Sequence, residues 1–136
     1  MYDGPGHAGL KRALETLYKR GAVVSAVCHG PCGLVSAVKD DKTSILADHK
    51  VRHAFHCRHS TPIHHQVTGF TNSEEEAVGK TDVVPWLLED KLKELGGLYE
   101  RGPDWTEYVV TDRNVVTGQN PQSSTGVAKA VLALLG

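Results

Sequence analysis

Apolar side chains along the chain alternate between the period of a helix and short continuous runs. The first helix is predicted over residues 9–20, where apolar positions recur at i, i+3, i+4, i+7 and i+8: Leu10, Ala13, Leu14, Leu17 and Tyr18. Gly21 stands where a glycine commonly ends a helix. Residues 22–27 (AVVSAV) then form a run that is apolar except for Ser25. This run predicts a strand buried on both faces, as parallel strands usually are.

The pattern continues in the same way through the middle of the chain. Pro31 is suited to the first turn of a second helix running through Val38, because a proline there gives up only a donor that the helix would not use. Residues 40–42 (DDK) predict a turn, and residues 67–70 (VTGF) a short strand. A third helix is predicted over residues 84–95, stopped by the Gly96-Gly97 pair.

The last third of the chain predicts a hairpin followed by a helix. Residues 108–111 and 115–117 are β-branched runs that flank the turn residues 112–114 (DRN). The final helix begins near Ser124, and its predicted buried stripe consists of Val127, Val131, Leu134 and Leu135. Helices that alternate with buried strands predict an α/β fold with a mainly parallel sheet.

One segment has no such period. Residues 51–66 (VRHAFHCRHSTPIHHQ) contain five of the eight histidines and favour neither a helix nor a strand. We expect this segment to be an inserted, disordered loop. Its histidines and Cys57 are competent ligands for zinc or copper, but their spacing fits no known zinc pattern, so no functional metal site is expected.

Composition narrows the class of protein. A chain of 136 residues with 40% hydrophobic content is consistent with one globular domain. The formal net charge is −1, which gives no electrostatic footprint for nucleic acid or for an anionic membrane. No apolar stretch is long enough to span a bilayer, and we expect no signal peptide because the N-terminal residues lack a basic region followed by an apolar one. Three cysteines without a signal favour a reducing compartment, so we expect a cytoplasmic protein.

Cys28 is the strongest candidate for chemistry. It follows an apolar strand directly and precedes His29, Gly30 and Pro31, which is the arrangement of a nucleophile elbow at a strand-to-helix turn. The following helix N-terminus would favour the reactive thiolate, and the backbone N–H of His29 would face a developing oxyanion. The alternative is a buried structural cysteine beside an incidental histidine. Cys32, one helical turn later, is expected to be a small core residue.

Three consecutive acids follow the predicted strand at residues 67–70. A carboxylate at a strand end can orient an imidazole and stabilise its charged form. On the residues alone, the favoured interpretation of Glu74, Glu75 and Glu76 is instead a solvated acidic first turn of a helix whose N-cap is Asn72 or Ser73.

Four motifs in order resemble the ThiJ/PfpI superfamily, and in particular its heat-shock, glyoxalase III-like subgroup: residues 26–31 (AVCHGP), 67–75 (VTGFTNSEE), 83–89 (VVPWLLE) and 116–124 (VTGQNPQSS). The resemblance covers most of the chain outside residues 51–66. It implies a flavodoxin-like sandwich and a catalytic triad of Cys28, His29 and Glu75, with Glu74 as the neighbouring alternative acid. It also implies glutathione-independent conversion of methylglyoxal to D-lactate, without metal or organic cofactor.

Two features depart from the family pattern. In the family, a Gly-Gly-His-Gly-Pro run directly precedes a sequence like the Met1-Tyr2-Asp3 that opens this chain. We therefore expect the leading strands, the glycine pair of the oxyanion hole and a strand-borne glutamate to be missing here. The second departure is the 51–66 segment, because joining Lys50 to Val67 restores the family sequence. A retained short intron is compatible with this length and with these end residues.

The resemblance leaves several functions open. The leading one is an enzyme acting on a small α-oxoaldehyde or on related reactive carbonyls such as glycated side chains. A second is a holdase chaperone that binds unfolded client proteins through apolar surface, and a third is an inactive fragment. The resemblance implies a monomer or a homodimer. Glutamine amidotransferases and PfpI-type peptidases share the elbow, but His29 and the 67–75 motif favour the glyoxalase-like subgroup.

Overall fold

A computed structural model describes residues 1–47 and 65–136 as helices and short strands in alternation. In chain order the α-helices and β-strands are α1 (Ala8–Lys19), β1 (Val24–Val27), β2 (Gln66–Val67), α2 (Asn72–Ala77), α3 (Leu88–Glu94), β3 (Leu98–Tyr99), β4 (Val109–Asp112), β5 (Val115–Gly118) and α4 (Ser124–Leu135). Two 3₁₀ helices, Gly30–Ser36 and Pro121–Ser123, complete the set.

The strands form two small open sheets. In the first, the order is β1-β5-β4, with β1 parallel and β4 antiparallel to β5. In the second, β2 and β3 pair in parallel. These pairings confirm the α/β class, the mainly parallel sheet and the hairpin around Arg113, whose φ of 55° is the left-handed conformation that a tight hairpin turn requires.

The core lies between the sheets and the surrounding helices. Its fully buried hydrophobic members are Val24, Leu34, Ala37, Ile45, Leu46, Val67, Phe70, Leu88 and Leu92. The amphipathic helix α1 covers one side of this cluster through the half-buried Leu14 and Tyr18. Gly21 follows α1 with a φ of +70°, which confirms the predicted glycine stop.

Two predicted helices are shorter than their sequence patterns indicate. In place of the helix predicted from Pro31 through Val38, Gly30–Ser36 form a 3₁₀ helix, because Gly33 is a weak helix former and Ala37 is extended. The third helix begins at Leu88 instead of residue 84. Val84 belongs to a preceding turn in which its N–H donates to the Lys80 carbonyl, and the residue before a proline disfavours helical geometry.

Two strand predictions also need correction. β1 is not buried on both faces: Val24 is buried, whereas Ser25 is exposed. Within the described residues β1 pairs with β5 on one side and forms the edge of its sheet. The strand expected over residues 67–70 ends at Val67, because the Thr68 N–H donates to the Thr117 side chain and the Phe70 N–H to the Cys28 carbonyl.

The predicted buried stripe of α4 is wrong in its second half. Val127 is buried and Val131 is half-buried, but Leu134 is 43% and Leu135 68% exposed. A 12-residue helix is about 18 Å long, whereas a four-residue strand spans about 13 Å. The last turn of α4 therefore extends beyond the strands on which Val127 packs.

The predicted disordered insert at residues 51–66 overlaps the described chain at its last two residues, and for these the prediction is wrong. Gln66 belongs to β2, and His65 is 2% exposed. His65 bonds through Nε2 to the Tyr18 hydroxyl and through Nδ1 to Asp112 Oδ2, both at 2.9 Å. The remainder of the insert lies outside the described residues. In the described part of the chain, no helix has the length and apolarity needed to cross a membrane.

A buried carboxylate connects α2 to the loops around it. Glu74 is fully buried, and its Oε1 accepts hydrogen bonds from the Trp105 backbone N–H at 2.9 Å and from Asn120 Nδ2 at 2.8 Å. Its Oε2 accepts from the Thr71 N–H at 3.1 Å, and the Thr71 hydroxyl accepts from the Glu74 N–H in return. This reciprocal pair is a capping box, so the N-cap of α2 is Thr71 and not Asn72 or Ser73.

Burial alone would raise the pKa of the Glu74 carboxyl, but the donors that surround it leave this pKa below its ordinary value. A carboxyl whose pKa is lowered by folding stabilises the native state above its unfolded pKa of about 4.3. That stabilisation is lost as the pH falls through the folded pKa. Glu74 is therefore expected to contribute to the loss of stability in acid.

We expect Glu74→Gln to destabilise the fold by about 2–3 kcal/mol at pH 7, because an amide NH₂ would replace one acceptor oxygen and face donors. The melting temperature should fall by about 6–10 °C, and the stability should depend less on pH below about pH 5. Thermal unfolding followed by circular dichroism at pH 7 and pH 4 measures both effects.

Glu76→Gln is the matched control, since Glu76 lies on the same helix but is exposed. It should leave the melting temperature within about 2 °C of the parent chain. Equal effects of the two substitutions would contradict the role of the buried carboxylate.

Candidate active site

The backbone of Cys28 makes a sharp bend at the end of β1. Its φ is +60°, a conformation that non-glycine residues seldom adopt. The Cys28 N–H donates to the Gly118 carbonyl, and the Cys28 carbonyl accepts from the Phe70 N–H, both at 2.9 Å. The bend thus joins the end of β5 to the segment after β2. This is the local geometry that the elbow prediction requires.

The structure brings together the three residues that the resemblance implies. Cys28 Sγ lies 3.4 Å from His29 Nδ1, and His29 Nε2 lies 2.6 Å from Glu75 Oε2. Because a neutral imidazole donates from one nitrogen and accepts at the other, a proton on Nε2 directed at Glu75 leaves Nδ1 free to accept the thiol proton. The two contacts form a continuous path from the sulfur to the carboxylate.

The imidazole is held from two sides. Glu75 is 2% exposed and lies in the first turn of α2, so its carboxylate has a fixed direction. The Phe70 ring lies against the other side of His29, with centroids 4.4 Å apart and an interplanar angle of 38°. The His29 side chain itself remains 35% exposed. The ring is therefore oriented but still accessible.

The neighbouring acids have separate positions. Glu75 contacts His29, whereas Glu74 is directed toward Trp105 and Asn120, and Glu76 is exposed. The alternative of a solvated acidic first turn is wrong for the first two, because α2 begins against the end of the sheet and points Glu74 and Glu75 inward.

The electrostatics of Cys28 differ from the expectation of a thiolate favoured by a helix. Burial raises the pKa of the Cys28 thiol, a hydrogen bond from the His29 N–H opposes this, and the charges of Glu74 and Glu75 raise it further. The segment that follows is also a short 3₁₀ helix and not an α-helix. The sulfur therefore needs a base, and His29 Nδ1 is the base within reach.

The other cysteine of this segment has a packing role. Cys32 is half-buried and packs against the core cluster. Both Cys28 and Cys32 are free thiols. Cys32 agrees with the expectation of a small core residue, although it lies in the 3₁₀ helix.

The structure adds aromatic residues to the site that the sequence analysis did not single out. Trp105 meets Phe70 edge to face, with centroids 5.7 Å apart. Trp105 lies in a loop 35 residues beyond Phe70, and no local period connects the two positions. Two features of the sequence could have drawn attention to Trp105. It is one of two tryptophans, and it follows Gly102-Pro103-Asp104 in a turn-forming segment.

No group of three or more His, Cys, Asp or Glu side chains within residues 1–47 and 65–136 is arranged to hold a metal ion. Of the histidine-rich segment, His65 is described, and both of its nitrogens have protein partners. The other predicted metal ligands lie outside the described residues.

No protein-family model matches the chain, but comparison with known proteins finds several similar ones that are named as glyoxalases. Glyoxalase 3 of Candida albicans is 32% identical over 141 residues, covering 98% of this chain and 52% of that protein. Glutathione-independent glyoxalase HSP31 of Saccharomyces cerevisiae is 31% identical, covering 94% of this chain and 50% of that protein. The crystal structure of glyoxalase III from Candida albicans superposes with a TM-score of 0.81 at 29% identity, covering 98% of this chain and 52% of that one.

The chain thus spans about half the length of the curated relatives that it matches. Its structural neighbours share the DJ-1/ThiJ/PfpI fold, which confirms the resemblance and the fold class that it implied. With this elbow, sheet order and set of homologues, the chain belongs to the ThiJ/PfpI superfamily and is homologous to its glutathione-independent glyoxalases over about half of their length.

Proposed function

We propose that this chain converts α-oxoaldehydes to 2-hydroxy acids with Cys28 as nucleophile, His29 as base and Glu75 as the acid that orients it. Methylglyoxal is the proposed substrate, D-lactate the product, and glutathione is not required. The observation that supports this most directly is the continuous contact from Cys28 Sγ through His29 to Glu75, at 3.4 and 2.6 Å. The names of the homologues support the same reaction class.

The first step is attack by sulfur. His29 Nδ1 accepts the proton of the Cys28 thiol, and the thiolate adds to the aldehyde carbon. His29 then returns this proton to the oxygen of the former aldehyde, which gives a hemithioacetal. The His29 backbone N–H, which already donates to the sulfur, faces the region where the oxyanion develops.

The second step moves hydrogen between the two carbons. His29 removes the proton of the former aldehyde carbon, forming an enediolate, and delivers this proton to the neighbouring carbon, while the hydroxyl proton of the hemithioacetal passes to the former ketone oxygen. Cys28 then holds a 2-hydroxy acid as a thioester, which water hydrolyses to release the acid and the thiol. The sum is one oxoaldehyde plus one water giving one hydroxy acid, so no external oxidant or reductant is needed.

Glu75 acts in this scheme through His29. Its carboxylate accepts a hydrogen bond from His29 Nε2–H and keeps Nδ1 directed at the sulfur. When Nδ1 takes the thiol proton, the imidazole becomes positive, and the adjacent buried carboxylate stabilises that charge. Because the pKa of the Cys28 thiol is raised, this stabilisation is what makes the thiolate accessible at neutral pH.

Cys28→Ala should lower the rate of methylglyoxal consumption by about 10³-fold or more, because the reaction has no other nucleophile in the proposed scheme. The measurement is D-lactate formation by the 136-residue chain, with Cys32→Ala as the matched control. Cys32→Ala should keep the parent rate, since Cys32 packs against the core and the sulfur that contacts His29 Nδ1 is that of Cys28. A parent chain that forms no lactate would overturn the proposed function and favour the inactive fragment.

Glu75→Gln should lower kcat by about 10²–10⁴-fold with little change in KM, because the amide neither fixes the tautomer of His29 nor stabilises its charge. Steady-state kinetics with methylglyoxal measure the two constants. Glu76→Gln, one position along the helix and exposed, should retain parent kinetics. A Glu75→Gln chain with normal kcat would remove Glu75 from the mechanism.

A holdase activity independent of Cys28 is a second candidate, favoured by the exposed leucines at the end of α4. Leu132 is 67% exposed and Leu135 68%. Apolar surface of this kind binds unfolded chains.

We expect Cys28→Ala to suppress client aggregation as well as the parent chain does, whereas the double substitution Leu132→Ser, Leu135→Ser should suppress it less. Light scattering of a heat-denatured client protein measures both. Full suppression by the double variant would exclude these leucines as the binding surface.

A further inference from the structure

Trp105 has a backbone conformation that its side chain does not favour. Its φ is +57°, in the left-handed region where a bulky residue is a conformational outlier. Strain of this kind persists when surrounding contacts hold it, and it concentrates at functional sites. The contacts that hold Trp105 in this conformation therefore indicate whether it belongs to the candidate site.

The loop that carries Trp105 is fixed by buried polar groups. The Trp105 N–H donates to Glu74 Oε1, and Glu74 is fully buried. On the N-terminal side, the Gly102 N–H donates to Gln119 Oε1 at 2.9 Å, and Ser73 Oγ donates to Asp104 Oδ1 at 2.8 Å. These bonds attach the loop to α2 and to the end of β5. The position of Trp105 is therefore set by the same elements that position Glu75 and Cys28.

The indole is the outer member of a series of aromatic contacts that begins at the candidate base. The His29 and Phe70 rings meet at a tilt and the Phe70 and Trp105 rings edge to face, with centroid separations of 4.4 and 5.7 Å. Phe70 is 4% exposed, whereas Trp105 is 41% exposed. Trp105 thus presents an exposed apolar ring beside Phe70, whose own ring contacts the imidazole of the candidate base.

From this arrangement we propose that Trp105 forms the apolar wall that receives the substituent of the α-oxoaldehyde and sets substrate preference. The inference rests on the proposed function. The two carbonyl carbons react at Cys28 and His29, while the group attached to the ketone carbon packs on the indole. Substrates with an aryl or alkyl substituent are favoured over glyoxal, which has none. Trp105 thus determines specificity and takes no part in proton transfer.

The test compares three substrates in Trp105→Gly and Trp105→Phe variants of the 136-residue chain. Glycine tolerates the positive φ, so the relief of backbone strain offsets part of the packing lost with the indole, and Trp105→Gly should fold with a melting temperature within about 5 °C of the parent. We expect kcat/KM for phenylglyoxal to fall about tenfold, that for methylglyoxal to fall less, and that for glyoxal to stay unchanged. Trp105→Phe should recover part of the phenylglyoxal rate.

Trp86→Phe is the matched control, because Trp86 is the other tryptophan and packs against the core cluster. It should keep the parent preference among the three substrates. Equal losses for all three substrates in Trp105→Gly would overturn the specificity role, as would an unchanged preference. Failure of the parent chain to convert any of the three would instead overturn the proposed function.

A binding measurement tests the wall without turnover. In a Trp86→Phe, Cys28→Ala chain, Trp105 is the remaining tryptophan. Titration with 2-hydroxyacetophenone, which carries the phenyl group but no aldehyde, should change its fluorescence saturably, and hydroxyacetone should require higher concentrations. The absence of a saturable change would contradict the wall even if the chain is active.

Discussion

The candidate site depends on the two backbone hydrogen bonds of one residue. Cys28 connects the end of β5, through the Gly118 carbonyl, to the segment after β2, through the Phe70 N–H. Its positive φ turns the chain so that His29 faces α2 instead of continuing along the strand direction. Without this bend the imidazole would not reach Glu75, which lies 46 positions later in the sequence. A single strained residue thus assembles parts of three elements.

The elements and the chemistry-bearing residues were predictable from local pattern, whereas lengths and burial were not. Helix α1, the hairpin and the start of α4 follow from periodicity and turn residues. The errors arise where a backbone group bonds to a distant partner: β2 ends early because Thr68 and Phe70 donate to Thr117 and Cys28. Likewise, the exposure of Leu134 and Leu135 depends on where the strands end beneath α4. The apolar period of the helix gives no information about the length of those strands.

In the candidate site, too, some features could be predicted from local sequence and others depend on distant contacts. Cys28 was a candidate because the elbow is contiguous in sequence, whereas the roles of His29 and Glu75 were implied by the resemblance, with Glu74 as an alternative acid. The separate directions of these adjacent carboxylates depend on Thr71 capping α2 and on the loop that supplies the Trp105 amide. The raised pKa of the Cys28 thiol likewise depends on burial and on the charges of Glu74 and Glu75, which no local pattern indicates.

The buried His65 is the residue through which removal of the histidine-rich segment would change the structure. It stands between the Tyr18 hydroxyl and the Asp112 carboxylate, and Asp112 also accepts the Gln66 N–H at 3.0 Å. A shorter transcript product in which Lys50 leads straight into Val67 would lose the His65 imidazole, whereas the backbone N–H of Lys50 would take the place of that of Gln66. Helix α1 and the β4 end of the hairpin would then no longer share a residue between them, so the two products of such a gene would differ in how this side of the molecule is held together.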